Sequence, residues 1–191
     1  MSERALADGE RPLNRRSSDR SASPKLVIFA GLPGTGKSTL ARLLAERLDA
    51  IWLRVDTIEA SLLKAGIQQS FETGLAAYVA ACDIARDHLQ LRHDAIVDAV
   101  NGVEPARQMW RELAAEEHAR RYVVEVTCSD RAEHRRRVES REPPTPPLPK
   151  PTWQEVVERE YIAWDEPILT VDGLEEPSVN LSRIQNYIEG T

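Results

Sequence analysis

The stretch Gly31-Leu32-Pro33-Gly34-Thr35-Gly36-Lys37-Ser38-Thr39 decides the fold of this chain. It carries glycine at its first and sixth positions, followed directly by lysine and serine. An apolar run precedes it at residues 25–30 and predicts a buried strand. Leucines at helical spacing follow at residues 40–48 and predict an amphipathic helix. A strand, a glycine-rich loop and a helix therefore follow one another directly.

This order of elements is the required context of the phosphate-binding pattern G-x-x-x-x-G-K-[ST]. Glycines leave the backbone amides of the loop unobstructed, and the helix N-terminus adds unpaired amides and a positive dipole end. We expect Lys37 to reach the β- and γ-phosphates of a nucleotide and the Ser38 hydroxyl to ligate Mg²⁺. The alternative, a glycine-rich turn that binds nothing, is disfavoured because the pattern is intact and correctly flanked. The predicted ATP-binding residues are Gly31, Pro33, Gly34, Thr35, Gly36, Lys37, Ser38 and Thr39.

Composition limits the class of protein. The chain has 191 residues and a net charge of −6, with 41% hydrophobic residues, which suits one domain with its own core. Its two cysteines exclude a disulfide-rich scaffold, and the four histidines show no paired spacing for a further metal. No apolar run approaches the roughly 20 residues that span a bilayer. We therefore expect a cytoplasmic protein without a membrane partner, and the acidic net charge argues against a nucleic-acid partner.

The remaining sequence divides into a tail and one domain. Residues 1–24 are rich in charge, serine and proline, which predicts a disordered arm, and residues 25–191 predict a single kinase-sized domain. Strands alternating with helices predict an α/β fold in three layers, with a parallel sheet covered on both faces. The strands are predicted at 25–30, 50–55, 94–98, 122–127 and 168–171. The helices are predicted at 40–48, 57–65, 73–91, 105–120, 131–141, from 152 onward and at 177–189.

Two acids and an amide follow the predicted strands. Asp56 directly follows the second predicted strand, where it could accept a proton from a substrate hydroxyl or simply cap the next helix. Asp98 ends the third strand and could hold Mg²⁺ or contact the acceptor. Asn101 follows on the same rim, as a substrate-binding residue or a turn residue. In an open α/β sheet this edge is where ligands bind.

A lid is predicted at about residues 135–152. Arg137 and Arg141 share a helical face, where they could clamp the transferring phosphoryl group or belong to a solvated, salt-bridged face. Six prolines then crowd residues 142–151, and an arginine-bearing helix that runs into such a segment suits a closing lid. Three aromatic residues follow on the next predicted helix, where core packing or stacking on an acceptor could explain them: Trp153, Tyr161 and Trp164.

These features together resemble the small phosphate-loop kinases. The resemblance rests on residues 31–41, on Asp56, on the run Val97-Asp98-Ala99-Val100-Asn101 and on the spacing of Arg137 and Arg141. The family includes gluconate kinase, adenylylsulfate kinase, chloramphenicol phosphotransferase and the kinase domain of polynucleotide kinases. Many bacterial members are known as AAA-type ATP-binding domains. Ala99 and Val100 depart from the Asp-Asn-Thr-Asn run of polynucleotide kinases.

The resemblance implies a five-stranded parallel sheet of order 2-3-1-4-5 with a lid after the fourth strand. It implies that Asp56 acts on the acceptor hydroxyl and that Arg137 and Arg141 are the lid arginines, with Arg136 as a spare. It also implies an adenine site near residues 172–180.

We accordingly expect an ATP-dependent kinase that uses Mg²⁺ and transfers the γ-phosphoryl group to a hydroxyl of a small molecule, as a monomer or homodimer. The alternatives are a regulatory ATPase or switch without a small acceptor, and a polynucleotide 5′-end kinase.

Overall fold

A computed structural model describes residues 22–140 and 146–190 of the chain. Five strands and seven helices lie in these ranges. The predicted arm lies outside them except for its last three residues, and so does Arg141. The strands are β1 (Lys25–Ala30), β2 (Ile51–Arg54), β3 (Ala95–Asp98), β4 (Arg120–Thr127) and β5 (Leu169–Asp172). The helices are α1 (Lys37–Leu48), α2 (Val55–Lys64), α3 (Phe71–Gln90), α4 (Glu104–Glu116), α5 (Arg131–Ser140), α6 (Trp153–Glu158) and α7 (Pro177–Glu189).

The five strands form one sheet in the order β2-β3-β1-β4-β5, and every neighbouring pair is parallel. The predicted fold class and strand order are therefore confirmed. Parallel strands all end at the same edge of the sheet, so the loop after β1 and the residues after β2 and β3 meet there. The register makes this explicit, because Asp98 pairs with Phe29 on one side and with Arg54 on the other.

The core lies on both faces of the sheet. Side chains alternate along a strand, so Leu26 and Ile28 of β1 pack with α3 and α4, while Val27 and Phe29 pack with α1 and α7. All four of these side chains are 1% exposed or less. This double burial explains why the strand reads as a continuous apolar run.

Several predicted boundaries were wrong by two or more residues; helix α1, for example, begins at Lys37 and not at residue 40, and strand β4 begins at Arg120 and not at residue 122. Helix α2 begins at Val55 directly after the strand, two residues before the predicted start. Helix α4 ends at Glu116 because His118 adopts a positive φ of 51°, and the backbone then enters β4 at Arg120. Helix α6 starts with the predicted capping box of Thr152 and Glu155 but ends at Glu158.

Candidate active site

The loop of residues 31–36 joins β1 to α1 at the carboxyl edge of the sheet. Gly34 and Gly36 have φ angles of 88° and 100°, a region that strains residues with a side chain. A Cβ on Gly34 would also lie 2.7 Å from Cγ2 of Val138 in α5. The turn under α5 therefore requires glycine at this position.

The first turn of α1 follows the loop without a capping side chain. Helix N-termini carry amides that lack an intrahelical partner, and the helix dipole places positive charge there. Lys37, the first residue of the helix, is 8% exposed. All eight predicted ATP-binding residues lie in this loop or this turn, and their backbone geometry suits the phosphates of a nucleotide.

Asp98 lies beside the loop at the end of β3, with a side chain only 2% exposed. Burial raises the pKa of Asp98, while Lys37, contact with the Ser38 hydroxyl and Arg54 each lower it. Its Oδ2 atom has no hydrogen-bond partner among the described residues. A serine and a carboxylate beside bound phosphates are ligands that Mg²⁺ accepts, completed by water and phosphate oxygens. The residues therefore fit a magnesium–nucleotide site.

Arg54 is a member of the site that the sequence did not single out. Its Nε atom lies 3.5 Å from Oδ2 of Asp98, and neither atom has a hydrogen-bond partner among the residues described. The guanidinium also lies over the ring of Trp52, 5.4 Å from its centroid. In the sequence Arg54 is only an interior residue of the strand predicted at 50–55, and its role becomes evident from its pairing with Asp98 in the sheet.

Asp56 lies half-buried in the first turn of α2. Arg54 precedes the helix at the N-cap position, and no side chain caps the helix. The capping alternative for Asp56 is therefore wrong. The negative charge of Asp56 lies near enough to Asp98 to raise the pKa of Asp98, in addition to the larger effect of burial. Asp56 and Asp98 thus share the edge of the sheet next to the loop, as the sequence predicts.

Asn101 is not an open rim residue. It is 0% exposed, and its Nδ2 donates to the carbonyl of Phe29 at 2.8 Å while its Oδ1 accepts from Nε1 of Trp110 at 2.9 Å. Its φ of 49° is the left-handed conformation expected of a turn residue. Both ends of the amide are engaged within the protein, so the substrate-binding interpretation is replaced by a structural role.

Helix α5 packs directly on the phosphate loop. Nε2 of His134 lies 2.8 Å from the carbonyl oxygen of Pro33, and the buried Val138 faces Gly34. Arg137 donates from Nη1 to the carbonyl of Gly173 at 2.9 Å and from Nε to Glu133 at 2.8 Å. The Arg137 guanidinium lies beside Gly36 of the phosphate loop.

Arg136, the spare lid arginine, pairs with Glu133 and is exposed. Hydrogen bonds from Arg136 and then Arg137 lower the pKa of Glu133 to about 2. The predicted salt-bridged face of α5 therefore exists, but the Arg137 side chain also reaches Gly173, in the loop after β5. Arg141, the second predicted clamp residue, lies outside the described residues.

Arg107 is the other residue that sequence reasoning missed. It is 2% exposed and donates to four backbone carbonyls on two sides, those of Asn101 and Gly102 after β3 and those of Ile162 and Ala163 after α6. Its guanidinium also lies 3.8 Å from the ring centroid of Trp164. Arg107 thereby holds the segment after the lid against the edge of the sheet.

The three aromatic residues after the lid do not share a helix, because α6 ends at Glu158. Trp153 packs edge to face on His134, with ring centroids 5.2 Å apart. Tyr161 donates to Glu125 at 2.7 Å, and Trp164 packs on Arg107. These contacts support the packing interpretation over stacking on an acceptor.

In the ranges 22–140 and 146–190, no group of three or more histidine, cysteine or acidic side chains could hold a metal ion. No helix within those ranges is both long and apolar enough to cross a membrane.

Comparison with known proteins identifies the family. The family model described as "AAA domain" matches residues 26–159, which include the phosphate loop, Asp56, Asp98 and helix α5. The chain belongs to this AAA domain family. Curated relatives include the uncharacterized protein Rv2004c of Mycobacterium tuberculosis, 34% identical over 119 residues. That match covers 56% of this chain and 24% of the relative. The chain therefore spans about a quarter of the length of the curated relatives that it matches.

Solved structures of kinases share the fold of this AAA domain. The APS kinase CysC of Mycobacterium tuberculosis, in complex with AMPPNP and APS, superposes with a TM-score of 0.66 at 19% identity, covering 87% of this chain and 98% of that one. A sugar kinase from Janibacter superposes with a TM-score of 0.66 at 15% identity, covering 87% and 95%. The chain therefore has the fold of the small phosphate-loop kinases.

Proposed function

We propose that this protein is a cytoplasmic, ATP-dependent phosphotransferase that moves the γ-phosphoryl group to a hydroxyl of a small molecule. One observation carries the proposal: Lys37 and Ser38 of the phosphate loop, Asp98 and Asp56 come together at one edge of the sheet. Lys37 and Ser38 serve the phosphates, and Asp56 supplies a carboxylate from a separate element. A nucleotide-binding loop alone would not require that second carboxylate.

Each residue has a chemical task in this proposal. The loop amides and Lys37 hold the β- and γ-phosphates in line with the acceptor. Ser38 and Asp98 hold Mg²⁺, which neutralises charge on the phosphate oxygens when bound. Asp56 orients the acceptor hydroxyl and takes its proton. Arg137 stabilises the charge that develops on the transferring group.

The support for magnesium is the donor set around Asp98. A buried carboxylate without a hydrogen bond to Oδ2 is costly unless a partner arrives. Lys37 and Arg54 offset only part of that cost, because the pKa of Asp98 stays above its ordinary value. A divalent cation held through Asp98 and Ser38 would supply the remaining charge.

The test is an ATP-consumption screen of the full chain with Mg²⁺ against sugars, nucleosides, aminoglycoside-like and amphenicol-like alcohols and short oligonucleotides. We expect turnover that depends on one class of small alcohol. Lys37→Ala should abolish transfer while the melting temperature stays close to wild type, and Asp56→Asn should lower kcat by about 10²-fold or more.

Three outcomes would contradict the proposal in different ways. Turnover that ignores every added alcohol would favour a regulatory ATPase or switch. Turnover that requires an oligonucleotide and falls steeply with salt would favour a polynucleotide end kinase. An Asp56→Asn variant with full activity would remove the general-base role from Asp56.

A further inference from the structure

Residues 100–102, which follow β3 and are called the junction below, contact both the phosphate loop and a distant part of the chain. The carbonyl of Val100 accepts a hydrogen bond from the backbone N–H of Gly31 at 3.1 Å. The Nδ2 atom of Asn101 donates to the carbonyl of Phe29 at 2.8 Å. These two bonds hold the backbone on either side of the point where β1 becomes the phosphate loop. The position of the loop therefore depends on the position of the junction.

The junction also contacts the return segment, which we define as residues 160–164 after α6. The backbone N–H of Ile162 donates to the carbonyl of Gly102 at 2.8 Å. A Cβ on Gly102 would lie 2.9 Å from the carbonyl oxygen of Glu160 and 3.0 Å from Cδ2 of Tyr161, so the approach requires glycine. The return segment therefore lies directly against the backbone that holds the phosphate loop.

Arg107 binds both sides of this contact at once. It donates from Nε to the carbonyl of Asn101 at 3.0 Å and from Nη1 to the carbonyl of Ala163 at 3.1 Å. Its Nη2 atom donates to the carbonyls of Gly102 and Ile162. A guanidinium is planar and presents its donors in a fixed fork, so four carbonyls that share one guanidinium move together. The side chain is 2% exposed, so water does not compete for these bonds.

Two aromatic rings of the return segment fix the orientation of this guanidinium. The Cζ atom of Arg107 lies 3.8 Å from the ring centroid of Trp164 and 5.7 Å from that of Tyr161. The Tyr161 hydroxyl donates to Glu125 of β4 at 2.7 Å, and Glu125 pairs in the sheet with Ala30, the last residue of β1. The return segment is therefore attached a second time beside the start of the phosphate loop.

Attachment of the chain after α6 does not by itself require such an arrangement. Just beyond the return segment, Arg121 holds the chain by an ordinary ion pair with Glu166. Arg107 instead binds backbone carbonyls on two elements, and one of them belongs to Asn101, whose side chain in turn holds Phe29. The hydrogen bonds therefore form one continuous path from the return segment to the phosphate loop.

We propose that Arg107 is a positioning residue of the nucleotide site, which sets the phosphate loop through the junction and makes its position depend on the return segment. This inference rests on the nucleotide binding that is part of the proposed function. Arg107 acts through Val100 and Asn101 and not by contact with a ligand. Because coupling between two elements is reciprocal, a nucleotide that orders the loop also stabilises the return segment in its place.

The first test measures nucleotide affinity of the full chain. A non-hydrolysable ATP analogue is titrated with Mg²⁺ in a calorimeter, well below the melting temperature of each variant. We expect Arg107→Met to weaken binding of the analogue by about fivefold or more. Arg107→Lys keeps the charge but loses the fork, so it should recover only part of this loss. A residue with a structural role alone would lower the melting temperature and leave the affinity of the folded molecules unchanged.

Hydrogen exchange followed by NMR gives a second readout, at the Ile162 amide that donates to Gly102. In the wild type, saturating analogue should slow exchange of this amide by about threefold or more, whereas in Arg107→Met the analogue should leave its exchange rate unchanged. Gly102→Ala tests the same contact with Arg107 present, because the added methyl group would press on the carbonyl of Glu160. It should weaken binding of the analogue by about threefold or more, and with Arg107→Lys it decides the test if Arg107→Met does not fold.

The matched control is Arg121→Met, which removes another partly buried arginine that holds the chain after α6. It should leave both the affinity for the analogue and the response of the Ile162 amide unchanged. Wild-type affinity in folded Arg107→Met or in Gly102→Ala overturns the inference, as does an equal loss of affinity in Arg121→Met. An Ile162 amide that does not respond to the analogue in the wild type overturns it as well. Each of these results leaves the proposed function standing, whereas a wild type that does not bind the analogue refutes the proposed function and the inference with it.

Discussion

Gly173 provides a sharp test of how the phosphate loop is held. This residue follows β5, and a Cβ at its position would lie 1.8 Å from the carbonyl oxygen of Thr35. Carbon–oxygen contacts normally stay beyond about 3.3 Å. Alanine at residue 173 therefore requires the two backbones to separate by about 1.5 Å. The obstacle is backbone on both sides, so no side-chain rotation can relieve it.

A displacement of this size should reach the nucleotide. Misplacement of a bound group by 1 Å costs about 10²-fold in rate. We expect Gly173→Ala to weaken binding of a fluorescent ATP analogue by at least tenfold and to lower kcat/KM for ATP by about 10²-fold. The amide of Gly173 also donates to the carbonyl of Thr127 at 2.9 Å, a bond that the shift would stretch.

The control is Gly74→Ala, which adds the same methyl group where the nearest atom would be 4.0 Å away. Because Gly74 lies inside a helix, alanine there should stabilise the protein by about 0.5–1 kcal/mol and leave nucleotide affinity unchanged. Thermal melting separates a local shift from unfolding. A folded Gly173→Ala protein with wild-type nucleotide affinity would refute the view that the loop after β5 fixes the phosphate loop.

Three further predictions concern buried polar groups. Asp98→Asn should raise the melting temperature at neutral pH, because burial raises the pKa of Asp98 and thereby penalises its charged form in the folded state. The same substitution should abolish the Mg²⁺ dependence of nucleotide binding, which titration measures. The free energy of unfolding of the wild type should fall as pH rises from about 10 to about 12, because burial raises the pKa of Tyr78 to about 12 and this residue therefore ionises first in the unfolded chain. Urea unfolding of the wild type and of Tyr78→Phe across this pH range measures the effect. The same dependence of stability on pH in the variant as in the wild type would contradict the prediction. Arg107→Met should lower the free energy of unfolding by about 3 kcal/mol, because four carbonyls lose a charged donor. Denaturant unfolding measures this loss, and a change below about 1 kcal/mol would contradict the anchoring role of Arg107.

Local signals in the sequence were sufficient to predict the order of strands and helices and the phosphate loop. The loop of residues 31–39 combines spacing, glycine and flanking elements in one short window, and helix α7 has proline at its start where proline is tolerated. Strand order followed from the resemblance to phosphate-loop kinases. These features depend on neighbours in the sequence or on a shared topology.

The functions of single polar residues were harder to predict, because they depend on distant partners. Two of the four carbonyls that Arg107 binds lie 55 and 56 residues later in the chain, and Asn101 donates to a carbonyl 72 residues earlier. A side chain that satisfies buried backbone groups resembles a solvent-facing residue in the sequence. Arg54 could be recognised as a residue of the site only from the structure, where it pairs with Asp98 in the sheet.

The position of Arg107 has a consequence for where the protein can be cut. The family match ends at residue 159, but the carbonyls that Arg107 gathers belong to Ile162 and Ala163, and Gly173 lies further on. A fragment trimmed to the family boundary would keep every residue of the phosphate loop and lose β5, α7 and half of the ligands of a buried cation. The smallest unit that folds is therefore longer than the stretch by which the family is recognised.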